Sequence, residues 1–298
     1  MLSSFFKTSK PIHYIITFLM VAIMVGYFVI DHPFLGWKYI WISVLAMASI
    51  AIFQFITLKN ELTHNNSFSL WIYSCLLVIG LVYFSDMQIF IAYNCILLAL
   101  RRLLSMRTRR GLVRKIFDAS LWVSLATVFH SWSALFFIVI FLSIVIYAFK
   151  NINYWTLPFI AIACVSILTF TLDQYIGTNF FLRIFNKFDL SFYYINFEID
   201  VLFAVSSIVS SLGLIMSIAL LFGFPKISIS ARSRFSVLGF SGICGFLFFV
   251  MNGSALLLIP LLSIFIARMV QETENKIVKE SLLWIPFITM VVLFILRF

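Results

Sequence analysis

The stretch FDASLWVSLATVFHSWSALFFIVIFLSIVIYAFK, Phe117 to Lys150, decides the fold. As one helix, residues 117–149 would run about 50 Å at roughly 1.5 Å per residue, against a hydrocarbon core about 30 Å thick. Such a helix must tilt steeply or break. The only polar cluster past Ser124 and Thr127 is His130-Ser131-Trp132-Ser133, so the break is expected there, although no glycine or proline marks it.

Charge chooses between the two. If the stretch crosses twice, or dips in and returns, 17 of the 21 lysines and arginines fall on one side, leaving Lys38, Arg183, Lys187 and Arg297 on the other. If it crosses once, everything after it inverts and the split becomes 13 to 8. Basic residues collect on the cytoplasmic side of a membrane protein. The sequence therefore predicts a hairpin over 117–149, a start in the cytoplasm and Phe298 outside. The first arm, 117–130, is short enough to be a re-entrant helix covered by its neighbours.

The rest of the chain has the same character. Of its 298 residues 63% are hydrophobic and only 11% charged, where a soluble domain carries about 25%. Apolar runs recur at 12–30, 39–57, 68–84, 87–103, 155–172, 201–223, 236–251, 254–269 and 282–297. With the two arms of the hairpin these predict an all-α, polytopic transmembrane helical bundle of ten or eleven membrane segments. No hydrophilic stretch is long enough for a soluble domain, so residues 1–298 read as a single integral membrane domain. The N-terminal run follows a basic start and continues to Ile30 with no small-x-small cleavage pattern, so it reads as a retained span.

The net charge of +10 points to lipid headgroups rather than nucleic acid, because the cations sit in short loops between spans. Cys75, Cys95, Cys164 and Cys244 lie inside apolar runs with no Cys-x-x-Cys pair, and read as packing residues. The histidines, His13, His32, His64 and His130, divide between the two sides and form no His-x-x-x-His pair. No metal or cofactor is expected.

Several segments are candidates for chemistry. The loop RRLLSMRTRRGLVRK holds Arg101, Arg102, Arg107, Arg109, Arg110, Arg114 and Lys115. Guanidinium groups suit paired contacts with phosphate oxygens, so this loop reads as a phosphate or lipid-headgroup site, or as a topology anchor. Arg101 and Arg102 directly extend an apolar run, where a charge needs a partner, and Asp118 is the candidate. His130, at the apex of the hairpin, is a candidate general acid or base. Asp31, in the first outer loop IDHPFLGWK, is a candidate catalytic base. In the acidic and aromatic segment 173–200, Phe180, Phe181, Ile184, Phe185 and Phe188 share one helical face, as in a helix lying in the interface. Gly239, Gly242 and Gly245 recur every third residue, which predicts close helix packing.

The opening MLSSFFKTSKPIHYI, with LALRRL and KIFDASLW downstream, resembles a family of multi-pass inner-membrane proteins of flavobacteria and other Bacteroidota. The resemblance runs the length of the chain and implies a bacterial inner membrane, with no activity attached. The segment ATVFHSWSALFF is similar to the Phe-His-x-x-Ser-Ala region of some polysaccharide polymerases, and Asp31 is placed as in glycosyltransferases that use polyprenyl-phosphate sugars. This second likeness covers about a tenth of the chain. It lacks a paired acid at Asp31 and a large outer domain.

Three functions follow. Scarcity of polar residues within the spans favours a non-catalytic membrane subunit or scaffold, with lipids and other membrane proteins as partners. The resemblance to lipid-sugar enzymes implies action on a polyprenyl-phosphate-linked sugar at the outer face, through Asp31 and His130. A transporter would place polar groups at mid-depth, where only Gln54 and Asn94 stand, and the chain has no internal repeat.

Overall fold

A computed structural model describes residues 2–31, 36–83, 86–149, 151–177, 201–223 and 229–297. Every regular element among them is helical. In chain order these are α1 (Leu2–Phe5), α2 (Pro11–Asp31), α3 (Gly36–Lys59), α4 (Phe68–Tyr83), α5 (Met87–Leu104), α6 (Leu112–Phe129), α7 (Phe136–Ala148) and α8 (Asn153–Ile176). They continue with α9 (Val201–Leu221), α10 (Ile229–Asn252), α11 (Ile259–Glu272) and α12 (Lys276–Arg297). Among the described residues, seven helical segments are long and apolar enough to cross a membrane. They are α3, α5 with its 3-10 extension, α7 with its 3-10 lead, α8, α9, α10 and α12. The protein is an all-α, multi-pass membrane helical bundle.

The hairpin is there. Helix α6 ends at His130, whose backbone is extended (φ −142°, ψ 111°), and a 3-10 turn, Ser131–Leu135, leads into α7. His130 N–H still caps the carbonyl of Ala126 at 2.8 Å, and Ser133 N–H bonds the His130 carbonyl at 3.0 Å. The reversal thus satisfies its own backbone, which explains how it forms without glycine or proline. Helix α7 packs back along α6, and its far end reaches the turn at 105–108. Helix α6 begins at Leu112, five residues ahead of the apolar stretch, and so takes in Arg114 and Lys115.

The chain divides into two compact units. One comprises Met1–Phe90 with Leu258–Phe298, the other Ile91–Leu257.

In the first unit, α4 is the centre, packed by α2, α3, α11 and α12. Phe53 and Tyr73 stack face to face at 4.0 Å, both buried. Trp71 donates its indole N–H to the Leu283 carbonyl at 3.2 Å. Pro286, inside α12, cannot donate to the turn before it and disturbs that turn's carbonyls, and Leu283 lies in it. The N-terminal segment closes one end. Phe6, 1% exposed, packs against Trp71 and His13, and the Glu280 carboxylate accepts the Leu2 and Ser3 N–H groups, each at 3.1 Å.

In the second unit, α6 packs on α8 and α9 on α10. The latter contact is close. A Cβ built on Gly239 would stand 2.9 Å from the Leu221 side chain and 3.0 Å from the Ser217 carbonyl oxygen. For Gly239, the expected role in helix packing holds.

Candidate functional site

The second unit has two polar ends, separated by the length of the α6–α7 hairpin. One end is basic. Helix α5 runs out through Arg101 and Arg102 into the 3-10 turn Ser105–Thr108, anchored by the buried Met106. Arg109 and Gly111 take left-handed conformations (φ 51° and 61°), which turns the chain sharply into α6. Lys115 reaches back across the turn and donates to the Ser105 carbonyl at 2.5 Å and to Thr108 Oγ1 at 2.7 Å. Arg102 Nη2 lies 2.9 Å from Asp118 Oδ2, both partly exposed.

The seven cations named from the sequence therefore differ in role. Arg102 and Lys115 hold the turn together. Arg107, Arg109, Arg110 and Arg114 are exposed at the surface. Two further groups reach this end through packing. Tyr147, near the end of α7, lies beside Ser233 of α10 and within the electrostatic reach of Arg107 and Arg234. The Tyr147 hydroxyl is buried and makes no bond of full hydrogen-bond geometry. Arg234 is only 4% exposed. Sequence reasoning named neither. Tyr147 and Arg234 are 87 positions apart in sequence, and only the return of α7 beside α10 brings them together.

The other end is the apex. The His130 ring packs on Phe248 of α10 at 4.9 Å, and the 3-10 turn after His130 also lies against α10. Asn252 is one helical turn beyond Phe248. Gly253 (φ 73°) stops α10, and Ser254 follows. Ser133 and Ser254 are both 0% exposed. Their hydroxyls, and the Asn252 side-chain amide nitrogen, are buried with no hydrogen-bond partner. Buried groups of this kind are uncommon and costly. Asp173, also buried, sits near the end of α8.

Asp31 closes α2 in the first unit, but its side chain, like His32, Lys150 and residues 178–200, lies outside the described residues. The interfacial helix expected around Phe180–Phe188 falls in that part. His13 is buried in the first unit, its Nδ1 2.9 Å from Ser67 Oγ and its ring against Phe5 and Phe6. Among the described residues no group of three or more His, Cys, Asp or Glu side chains could hold a metal ion.

Elsewhere in the spans, hydroxyls turn back on their own helices. Ser49, Ser74, Ser120, Ser124, Thr127, Ser143, Ser217 and Ser263 each donate to a carbonyl three or four residues earlier. Gln54 is buried, and its carbonyl accepts from Thr57 Oγ1 at 2.9 Å.

Comparison of the chain with protein-family models, with curated proteins and with solved structures finds no match.

Proposed function

We propose that this protein is a non-catalytic integral subunit or scaffold of a membrane assembly, held in a bacterial inner membrane with its N-terminal end in the cytoplasm. The observation that carries the reading is the use made of polar groups within the spans. Many of their hydroxyls, Ser120, Ser124, Thr127 and Ser143 among them, bond the carbonyls of their own helices rather than lining a path. The outer surfaces agree with it. Helix α8 exposes Phe159, Ile167, Leu168 and Phe170 along its length, a face suited to lipid or to the helix of a partner. The orientation rests on the 17 basic residues that a double crossing at 117–149 would collect on one side.

The test is purification of the full-length chain from its native membrane in mild detergent. A stoichiometric membrane partner is expected, retained through size exclusion and lost in Phe159→Ala/Phe170→Ala. A lone, monodisperse protein overturns the reading.

A second reading has one observation in its favour. The unsatisfied hydroxyl of Ser133, in the turn after His130, and that of Ser254, beyond the α10 residue Phe248 that packs on His130, are what an enzyme acting on a polyprenyl-phosphate-linked sugar would need to hold sugar hydroxyls. Sugar transfer by membranes carrying the protein, abolished in Asp31→Asn and His130→Ala, would establish it. Transfer unchanged by both variants removes those residues from the reaction.

A further inference from the structure

The N-terminal segment that closes the first unit is held differently from the helices it covers. Between Leu2 and Lys10 the buried side chain is Phe6, while Ser4, Phe5 and residues 7–10 are exposed. Two ties join the segment to the bundle. The first is Glu280 of α12. Its Oε2 accepts the Leu2 N–H at 3.1 Å, and its Oε1 accepts the Ser3 N–H at 3.1 Å and the Ser3 hydroxyl at 2.5 Å. Those N–H groups open α1, where a four-residue helix has no carbonyl of its own to offer them. One carboxylate thus caps a helix and fastens it to another element.

The second tie is the Phe6 ring. It lies 4.8 Å from the His13 ring and 4.9 Å from Trp71, in one apolar cluster with Phe68, Cys75 and Leu283. The Phe6 carbonyl accepts the Ser67 N–H at 3.0 Å.

Both ties can be undone without unmaking the bundle. Trp71 keeps its indole bond to the Leu283 carbonyl and its stack on Phe287. Glu280 is half-buried, so a freed carboxylate returns to water rather than standing bare in an apolar interior. Pro11 opens α2 and disfavours a helical Lys10, so α1 and α2 cannot fuse, and residues 7–10 are left as a non-helical hinge. A segment with few buried contacts opens at lower cost than the core it covers.

We propose that residues 2–6 form a strap that opens as a unit about residues 7–10 while the bundle stays folded, with Glu280 as its latch and Phe6 as its plug. Opening uncovers the apolar socket over Trp71 and His13 and frees the Glu280 carboxylate in the same movement. The end of the first unit therefore has two states, a closed one with the charge engaged and the apolar socket filled, and an open one with both presented. The device goes beyond the scaffold reading and holds whether or not a partner exists.

The test uses the full-length protein in mild detergent, with trypsin at low concentration and mass analysis of the N-terminal peptide. Cleavage after Lys7 reports opening, since the Lys10–Pro11 bond resists the protease. It follows the open population when opening and closing are fast beside cleavage. Glu280→Gln is expected to be cleaved there about tenfold faster than the wild type, the scale of one charge-assisted bond lost. Phe6→Ala is cleaved faster by at least as much, Ser3→Ala a few-fold faster, and the exposed Glu274→Gln at the wild-type rate. Hydrogen exchange supplies the readout that a merely structural role would not give. The Ser67 N–H, which loses its acceptor on opening, exchanges faster in Glu280→Gln and Phe6→Ala, while the cores of α4 and α11 exchange as in the wild type. Cleavage of both variants at the wild-type rate overturns the strap. So does exchange that rises through α4, α11 and α12 to the same degree as at Ser67, which would make the segment a fixed part of the fold. If Phe6→Ala fails to fold, Glu280→Gln and Ser3→Ala, at partly exposed positions, decide alone.

Discussion

Arg102 and Asp118 face each other at 2.9 Å across the turn between α5 and α6, so the end of one helix is tied to the second turn of the next. Both side chains are partly exposed, at 40% and 32%. A pair so placed contributes little, about 0–1 kcal/mol. Asp118→Asn is therefore expected to lower the melting temperature in detergent only slightly. A loss of several kcal/mol in chemical denaturation would mean that the pair is sealed from solvent in the bilayer.

Gly239 and Gly26 give opposite expectations for the same substitution. Alanine at Gly239 must push aside the Ser217 backbone as well as the Leu221 side chain. The expected loss is about 1–3 kcal/mol, read as a lower melting temperature. A Cβ at Gly26 meets nothing within 4 Å, so Gly26→Ala is neutral or gains up to about 1 kcal/mol from helix propensity. Equal effects at both sites would contradict the close approach of α9 and α10.

Ser133 buries a hydroxyl with no partner. Removing such a group relieves an unmet desolvation cost of about 1–3 kcal/mol, less the packing lost with one atom. Ser133→Ala is expected to melt at the same temperature as the wild type or higher. A clear fall would show that the hydroxyl is engaged, by ordered water or by a bound molecule.

Sidedness is open to direct labelling. Tyr175, 91% exposed, stands at the apex end of the second unit, and Arg110 in the basic turn at its opposite end. With the exposed Cys164 replaced by alanine, an impermeant thiol reagent added to intact cells is expected to modify Tyr175→Cys and spare Arg110→Cys. The reverse pattern inverts the proposed orientation.

Much of the helix plan was legible because membrane segments announce themselves by length and apolarity. Among the described residues the eleven apolar stretches correspond to eleven helices, α2 to α12, beside the four-residue α1, and seven helical segments are long and apolar enough to cross a membrane. The hairpin was read from charge rather than from local sequence. Its turn at His130 rests on backbone bonds from residues that carry no turn signature. The Arg102–Asp118 pair was also legible, since a cation at a helix end and the acid just after the loop have few other choices. The Tyr147–Arg234 neighbourhood was not. It joins the end of one helix to the start of another across 87 positions, and depends on how α7 settles against α10. Nor did composition separate Lys115, which staples its own loop, from Arg110, which does not.

The 3-10 lead into α7 has a consequence for where the protein can work. Thirteen α-helical residues rise only about 20 Å. The five-residue lead, stretched to about 2 Å per residue, makes up the remaining distance across the hydrocarbon. Helix α8, with 24 residues, has length to spare and can tilt. Within the second unit, mismatch in bilayer thickness therefore falls on the hairpin before it reaches α8, at about fractions of a kcal/mol per ångström. A host membrane a few ångströms thicker would load the reversal at His130 before it strained α8.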